Sequence, residues 1–144
     1  MNIMPELNLD ATNIIIGRLA SHAAKQALLG YTVNIFNCEK AIITGTPHLV
    51  REKYYHRIFE TGQPWRGPFI PRMPDRFVKR LIRGMVEHKF ERGKLAYKRI
   101  MCYMGVPVQF KDKKLTSVGK IANELPTLKY QTIGDLCVSL GGRV

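Results

Sequence analysis

Three features of the sequence predict an α/β fold: a three-layer α/β/α arrangement around a small, mostly parallel sheet of about four strands, with a basic helical and loop extension. Short apolar runs of strand character alternate with stripes of helical period along most of the chain. Glycine, proline and threonine punctuate the junctions between them. The chain of 144 residues suits a single domain, 1–144, which at this size builds a core without disulfides.

Leu7 to Asp10 forms the first strand candidate, and a helix follows from about Ile16 to Leu29, stopped by Gly30. Its Ile16, Leu19, Ala20, Ala23 and Ala27 fall on one stripe, and so many alanines let a helix sit close to a sheet. Arg18, Ser21 and Lys25 fall on the opposite face. Thr32 to Phe36 is β-branched and aromatic and reads as a buried strand, and Ala41 to Thr44 is a second short apolar piece ending at Gly45. A second helix begins with Thr46 as N-cap and Pro47 at its first position, carries Val50, Tyr54 and Ile58 at four-residue spacing, and ends near Gly62.

Between positions 64 and 74 stand four of the eight prolines, so this stretch reads as a stiff, extended loop in which Trp65 and Phe69 alternate with Arg66 and Arg72. Asp75 to Met85 reads as an amphipathic helix. Phe77, Val78, Leu81, Ile82 and Met85 form its packing face, and Arg76, Lys79, Arg80 and Arg83 form a purely cationic one. A basic loop around His88 and Lys89 leads to a short helix, Lys94 to Arg99, and a strand, Ile100 to Met104. The tail, 108–144, is expected to dock through a last helix, Ile133 to Leu140, begun by Thr132 and stopped by Gly141.

Charge narrows the function. The chain carries 23 Lys and Arg against 11 Asp and Glu, a net +12. Within the basic segment of about 64–99, the stretch from Arg66 to Arg99 holds eleven cations against Asp75, Glu87 and Glu91. Such an excess repels itself until a polyanion neutralises it, and nucleic acid fits best. A membrane surface would call for a basic amphipathic anchor or a lipidation motif, and neither is present. Helical faces in water normally mix charges of both signs, so four cations with no anion between them favour phosphate. The arginines fork onto phosphate oxygens or stack on bases.

Catalysis finds no support. There is no glycine-rich nucleotide fingerprint, no P-loop, no His-Glu-x-x-His and no Gly-x-Ser-x-Gly. The four histidines, His22, His48, His56 and His88, are scattered, so no metal and no cofactor is expected. Glu87 and Glu91 are i, i+4 neighbours or partners for Lys94 and Arg83 rather than an acid and base pair. Cys38, Cys102 and Cys137 form no disulfide framework, and Cys38 after an apolar strand is a small buried hydrophobe before it is a nucleophile. With no secretion signal or membrane span, the chain is expected in the cytoplasm.

Several short motifs in order resemble a known family. Asp10-Ala11-Thr12, Gly17-Arg18-Leu19-Ala20-Ser21 and Asn37-Cys38-Glu39-Lys40 through Thr44-Gly45 resemble the first signatures of large-subunit ribosomal protein thirteen in its archaeal and eukaryotic form. Arg66-Gly67-Pro68, Arg72-Met73-Pro74, Arg83-Gly84-Met85, His88-Lys89, Arg92-Gly93 and Gly105-Val106-Pro107 follow its later series. Cys38 stands where the family has alanine, Asp75 where it has serine, and Val86-Glu87 where it tends to have leucine and proline. The resemblance implies a structural protein of the large ribosomal subunit, in contact with large-subunit rRNA and neighbouring ribosomal proteins, with no catalytic residue and no small-molecule substrate. It carries Arg18, Lys40, Arg66, Arg72, Arg83, His88, Lys89 and Arg92 over as RNA contacts. The helical wheel alone adds Arg76, Lys79 and Arg80, and the basic run adds Lys94 and Arg99. A non-ribosomal RNA-binding regulator and an RNA-modifying enzyme are the alternatives.

Overall fold

The computed structural model describes residues 4–144. Strand β1 (Glu6–Asp10) pairs in parallel with β2 (Thr32–Phe36), and β2 pairs in parallel with β4 (Ile100–Cys102), giving a sheet of order β1-β2-β4. Val33 to Phe36 of the central strand are all buried, as expected for a strand covered on both faces. Val33 and Ile35 enter the main core. By strand alternation, Asn34 and Phe36 point to the other side. There Asn34 donates to Glu6 Oε1 and Asn8 Oδ1, and Phe36 stacks on Tyr103 and packs on Phe110.

Helix α1 (Ile16–Leu28) connects β1 to β2 and buries Ile16, Leu19, Ala20, Ala23, Ala24 and Ala27. Two further helices, α3 (Pro74–Arg83) and α4 (Glu91–Lys98), pack on α1 and on β4. The alanine stripe lets the backbones come together. Met85 was expected on the packing face of α3, yet it is exposed, because the helix stops at Arg83 and its periodicity does not reach that far. Helix α4 begins at Glu91, three residues before the expected Lys94.

The parallel sheet has three strands rather than about four. A single residue takes the place of the fourth: Asp10 N–H donates to the Thr116 carbonyl at 3.0 Å, and Thr116 N–H donates to the Asn8 carbonyl at 2.9 Å. Charged Lys111–Lys114 before it and Gly119 after it leave no apolar run long enough to extend the pairing. The apolar piece after Ala41 is β3 (Ile42–Thr44), and it runs antiparallel to β5 (Tyr130–Thr132) outside the main sheet. Strand β5 leads into α5 (Ile133–Ser139). There Thr132 Oγ1 accepts the Asp135 N–H at 3.1 Å, and Ile133, Leu136, Cys137 and Leu140 are buried.

Helix α2 (Pro47–Tyr55) continues as a wider π turn over His56–Glu60 and buries no residue fully. Thr46 precedes it without making the expected side-chain cap. Val50, Tyr54 and Ile58 half-bury themselves against the core, with Tyr54 edge-on to Phe77 at 5.1 Å. The proline-rich stretch is not extended throughout. Gln63 and Gly67 exchange backbone hydrogen bonds at 3.1 and 3.0 Å, closing a turn with Trp65 and Arg66 at its tip. Gly62 and Gly67 permit it through φ values of 79° and 92°. Among the described residues, no helix is long and apolar enough to cross a membrane.

Candidate nucleic-acid interface

Helix α3 sorts its residues by burial as its wheel predicts. Phe77, Val78 and Ile82 are buried and Leu81 is half-buried, which leaves Arg76 and Arg80 exposed and Lys79 and Arg83 half-exposed. Lys79 lies across the helix pair, with its ammonium 5.1 Å from the Tyr97 ring centre and 3.8 Å from Met101 Sδ. The stem of Lys79 therefore rests on α4 and β4 rather than in open water. Tyr97 stays neutral, its hydroxyl pushed up by burial against the opposing pull of Arg83 and Arg80.

The turn and loop before α3 add exposed groups. Trp65 is 94% exposed and Phe69 68% exposed, and Arg66 is exposed beside them. Side chains of that size with nothing over them are suited to stacking on bases. Arg72 is placed differently, its guanidinium 4.9 Å from the Phe59 ring centre, so it ties the loop to the π turn. Beyond α3, His88 is half-buried in a tight turn, and Lys89, Arg92 and Lys94 are exposed. Arg99 donates to the Ala27 carbonyl at 3.2 Å, which holds it against the last turn of α1. A cation there complements the negative end of the helix.

At the other end of α1, Lys40 is exposed at the end of a turn built by Asp10 and Asn37. Asn37 has a left-handed φ of 56° and donates to Asp10 Oδ1 at 2.9 Å. Arg18 is exposed near the start of α1. Two lysines that sequence reasoning missed, Lys120 and Lys129, line the same cavity as Arg18. Both sit in the part of the tail before β5, which has no helical or strand periodicity, so no wheel or alternation could have pointed to them. Arg57, also missed, shares a cavity with Arg80, which joins the π turn after α2 to the cationic face of α3.

Among the described residues these cations lack carboxylate partners. His56 bonds to Glu60, and among the described residues the only Lys or Arg paired with a carboxylate is Lys113, with Glu6, so 22 of the 23 Lys and Arg are in no ion pair. Glu87 and Glu91 form none with Arg83 or Lys94. Among the described residues there is no group of three or more metal-ligating side chains. The Cys38 thiol is pushed far up by the neighbouring Cys102 thiol and by burial, and the Cys137 thiol is pushed up to about 12 by burial and by Asp75. Neither has thiolate character at neutral pH.

Comparison with known proteins places the chain in a family. The family model described as Ribosomal protein L13 matches residues 6–109. A "Large ribosomal subunit protein uL13" from Methanococcoides burtonii is 42% identical over 136 residues, covering 94% of this chain and 97% of its own. Proteins of the same name from Haloarcula marismortui and Methanopyrus kandleri are 40% and 39% identical, covering 92% of this chain in each case and 88% and 85% of their own. The likeness thus extends past Pro107 into the tail, where short motifs give out. From the matched motifs, the family model and relatives of nearly full length, this chain belongs to the ribosomal protein L13 family.

Proposed function

We propose that this chain is a structural constituent of the large ribosomal subunit, and that it binds large-subunit rRNA through the cationic face of α3 and the turn and loop before it. One observation carries the reading: Arg76, Lys79, Arg80 and Arg83 lie along one helix with no carboxylate paired to any of them. The α/β body acts as a rigid platform. Phosphates of the RNA supply the missing negative charge, and released counterions supply much of the affinity. Arg18, Lys40, Arg66, Arg72, His88, Lys89, Arg92 and Lys94 extend the contact around the body, with Trp65 and Phe69 available to unpaired bases. Arg99 contributes mainly by holding α1. Recognition is of RNA shape, because A-form helices hide their deep groove from side chains. Ribosomal proteins beside it in the subunit are its other partners.

Replacing Arg76, Lys79, Arg80 and Arg83 with glutamine tests this. None of the four is fully buried, so thermal unfolding should change little while the fraction co-sedimenting with large-subunit particles falls. With about six phosphates engaged on a duplex-like surface, log K should fall with log salt at a slope of about −5, and the variant should give a shallower one. Normal incorporation of the variant would overturn the assignment of this face.

A further inference from the structure

We infer that the protein holds a second, separate segment of rRNA in the cavity where the start of α1, the end of β3 and the tail meet, with one nucleotide seated there and its phosphates on Arg18, Lys120 and Lys129. This rests on the reading that the chain binds rRNA, and adds a site to it. The cavity measures about 500 Å³, within the roughly 300–1,000 Å³ of pockets that enclose a small organic ligand, so it admits a nucleotide and not only a phosphate. None of its lining residues belongs to the basic segment 64–99, and none is acidic.

Arg18 comes from α1, Lys120 from the loop after Gly119, and Lys129 from the residue before β5. Only the folded chain brings them together. Three like charges gathered without a carboxylate oppose the free fold and favour a bound anion. The walls are tied by backbone hydrogen bonds, Ile15 N–H to the Lys120 carbonyl at 3.1 Å and Gly45 N–H to the Lys129 carbonyl at 2.8 Å. The cations therefore sit on a scaffold formed before binding, which lowers the entropic cost of capture.

The rest of the lining fits a nucleotide better than a bare ion. Thr44, Thr46 and Thr127 offer hydroxyls to sugar or phosphate oxygens, and Thr46 makes no capping bond that would occupy its own. Helix α2 begins directly after Thr46, so the positive end of its dipole adds to the cations. Ile15, Leu125 and Pro126 provide an apolar wall for sugar or base.

The test uses the full chain and full-length large-subunit rRNA transcribed from the source organism. Lys120→Gln with Lys129→Gln removes two exposed charges and touches no core residue. Filter binding across KCl concentrations should give a salt slope shallower by about 1–2. Hydroxyl-radical footprinting should lose protection at one RNA segment while the segment guarded by α3 stays protected, and Lys→Arg at both positions should keep both protections. A double glutamine variant with the wild-type slope and footprint would overturn the second site and leave the α3 reading standing. Wild-type protein that protects no RNA at all would overturn both.

Discussion

Asp10 accepts three hydrogen bonds, from the Thr12 N–H at 3.0 Å, the Thr12 hydroxyl at 2.7 Å and Asn37 Nδ2 at 2.9 Å. Burial alone would raise its pKa, but those bonds and the nearby Lys40 outweigh it and hold the carboxyl below its ordinary 3.8. A carboxylate with a depressed folded pKa stabilises the fold above 3.8, and that contribution fades as pH falls through the lower folded value. Asp10→Ala should therefore cost about 2 kcal/mol at about pH 6, because hydrogen bonds to a charged acceptor are lost and Asn37 is left without its partner. The gap in urea midpoint from the wild type should narrow at about pH 2.5. An equal gap at both pH values would show that the charge of Asp10 is irrelevant. The sequence displays Asp10 and Asn37 as motif residues but not their bond, since 27 positions separate them. Arg99 and Lys79 are illegible for the same reason. The basic run counts the charge of Arg99 and the wheel that of Lys79, while the structure sends the first to the Ala27 carbonyl and rests the second on Tyr97.

At the scale of elements, periodicity carries far where a segment has two unlike faces. The alanine stripe of α1 and the split of α3 into Phe77, Val78 and Ile82 against Arg76 and Arg80 are both readable from spacing. Strand β5 is not, because Tyr130, Gln131 and Thr132 are all half-buried and alternate in nothing. The 63–67 turn is hidden too, because prolines signal extension while the glycines on either side reverse it. The Arg92-Gly93 motif gains a physical reason only from packing. A Cβ on Gly93 would stand 1.9 Å from the Glu87 carbonyl oxygen and 2.2 Å from its carbon, both backbone atoms that cannot rotate away. Gly93→Ala must push α4 from the turn that carries His88 and Lys89. We expect a loss of about 2–3 kcal/mol in urea unfolding, at the upper end for an overpacked site. A loss below about 0.5 kcal/mol would mean that α4 and this turn do not meet so closely.

Over the whole molecule, the fold is a scaffold that keeps like charges apart from acids. A net +12 with one Lys or Arg among the ion pairs of the described residues leaves self-repulsion that only salt or a polyanion can relieve. The two remedies act in opposite directions on two measurable quantities. Raising KCl from about 0.1 M to about 1 M shortens the screening length from about 10 Å to about 3 Å, so repulsion within the free protein weakens. Its thermal midpoint should rise by about 2–4 °C, the shift produced by roughly 1 kcal/mol in a domain of this size. Over the same range, affinity for large-subunit rRNA should fall by several orders of magnitude, because each phosphate contact gives back its counterion advantage. A protein whose charges were satisfied internally would show the reverse, losing stability as salt screened its ion pairs. If scanning calorimetry found the midpoint falling with KCl, the cations of α3 and of the Arg18 cavity would have partners inside the fold, and the case that they wait for phosphate would fail.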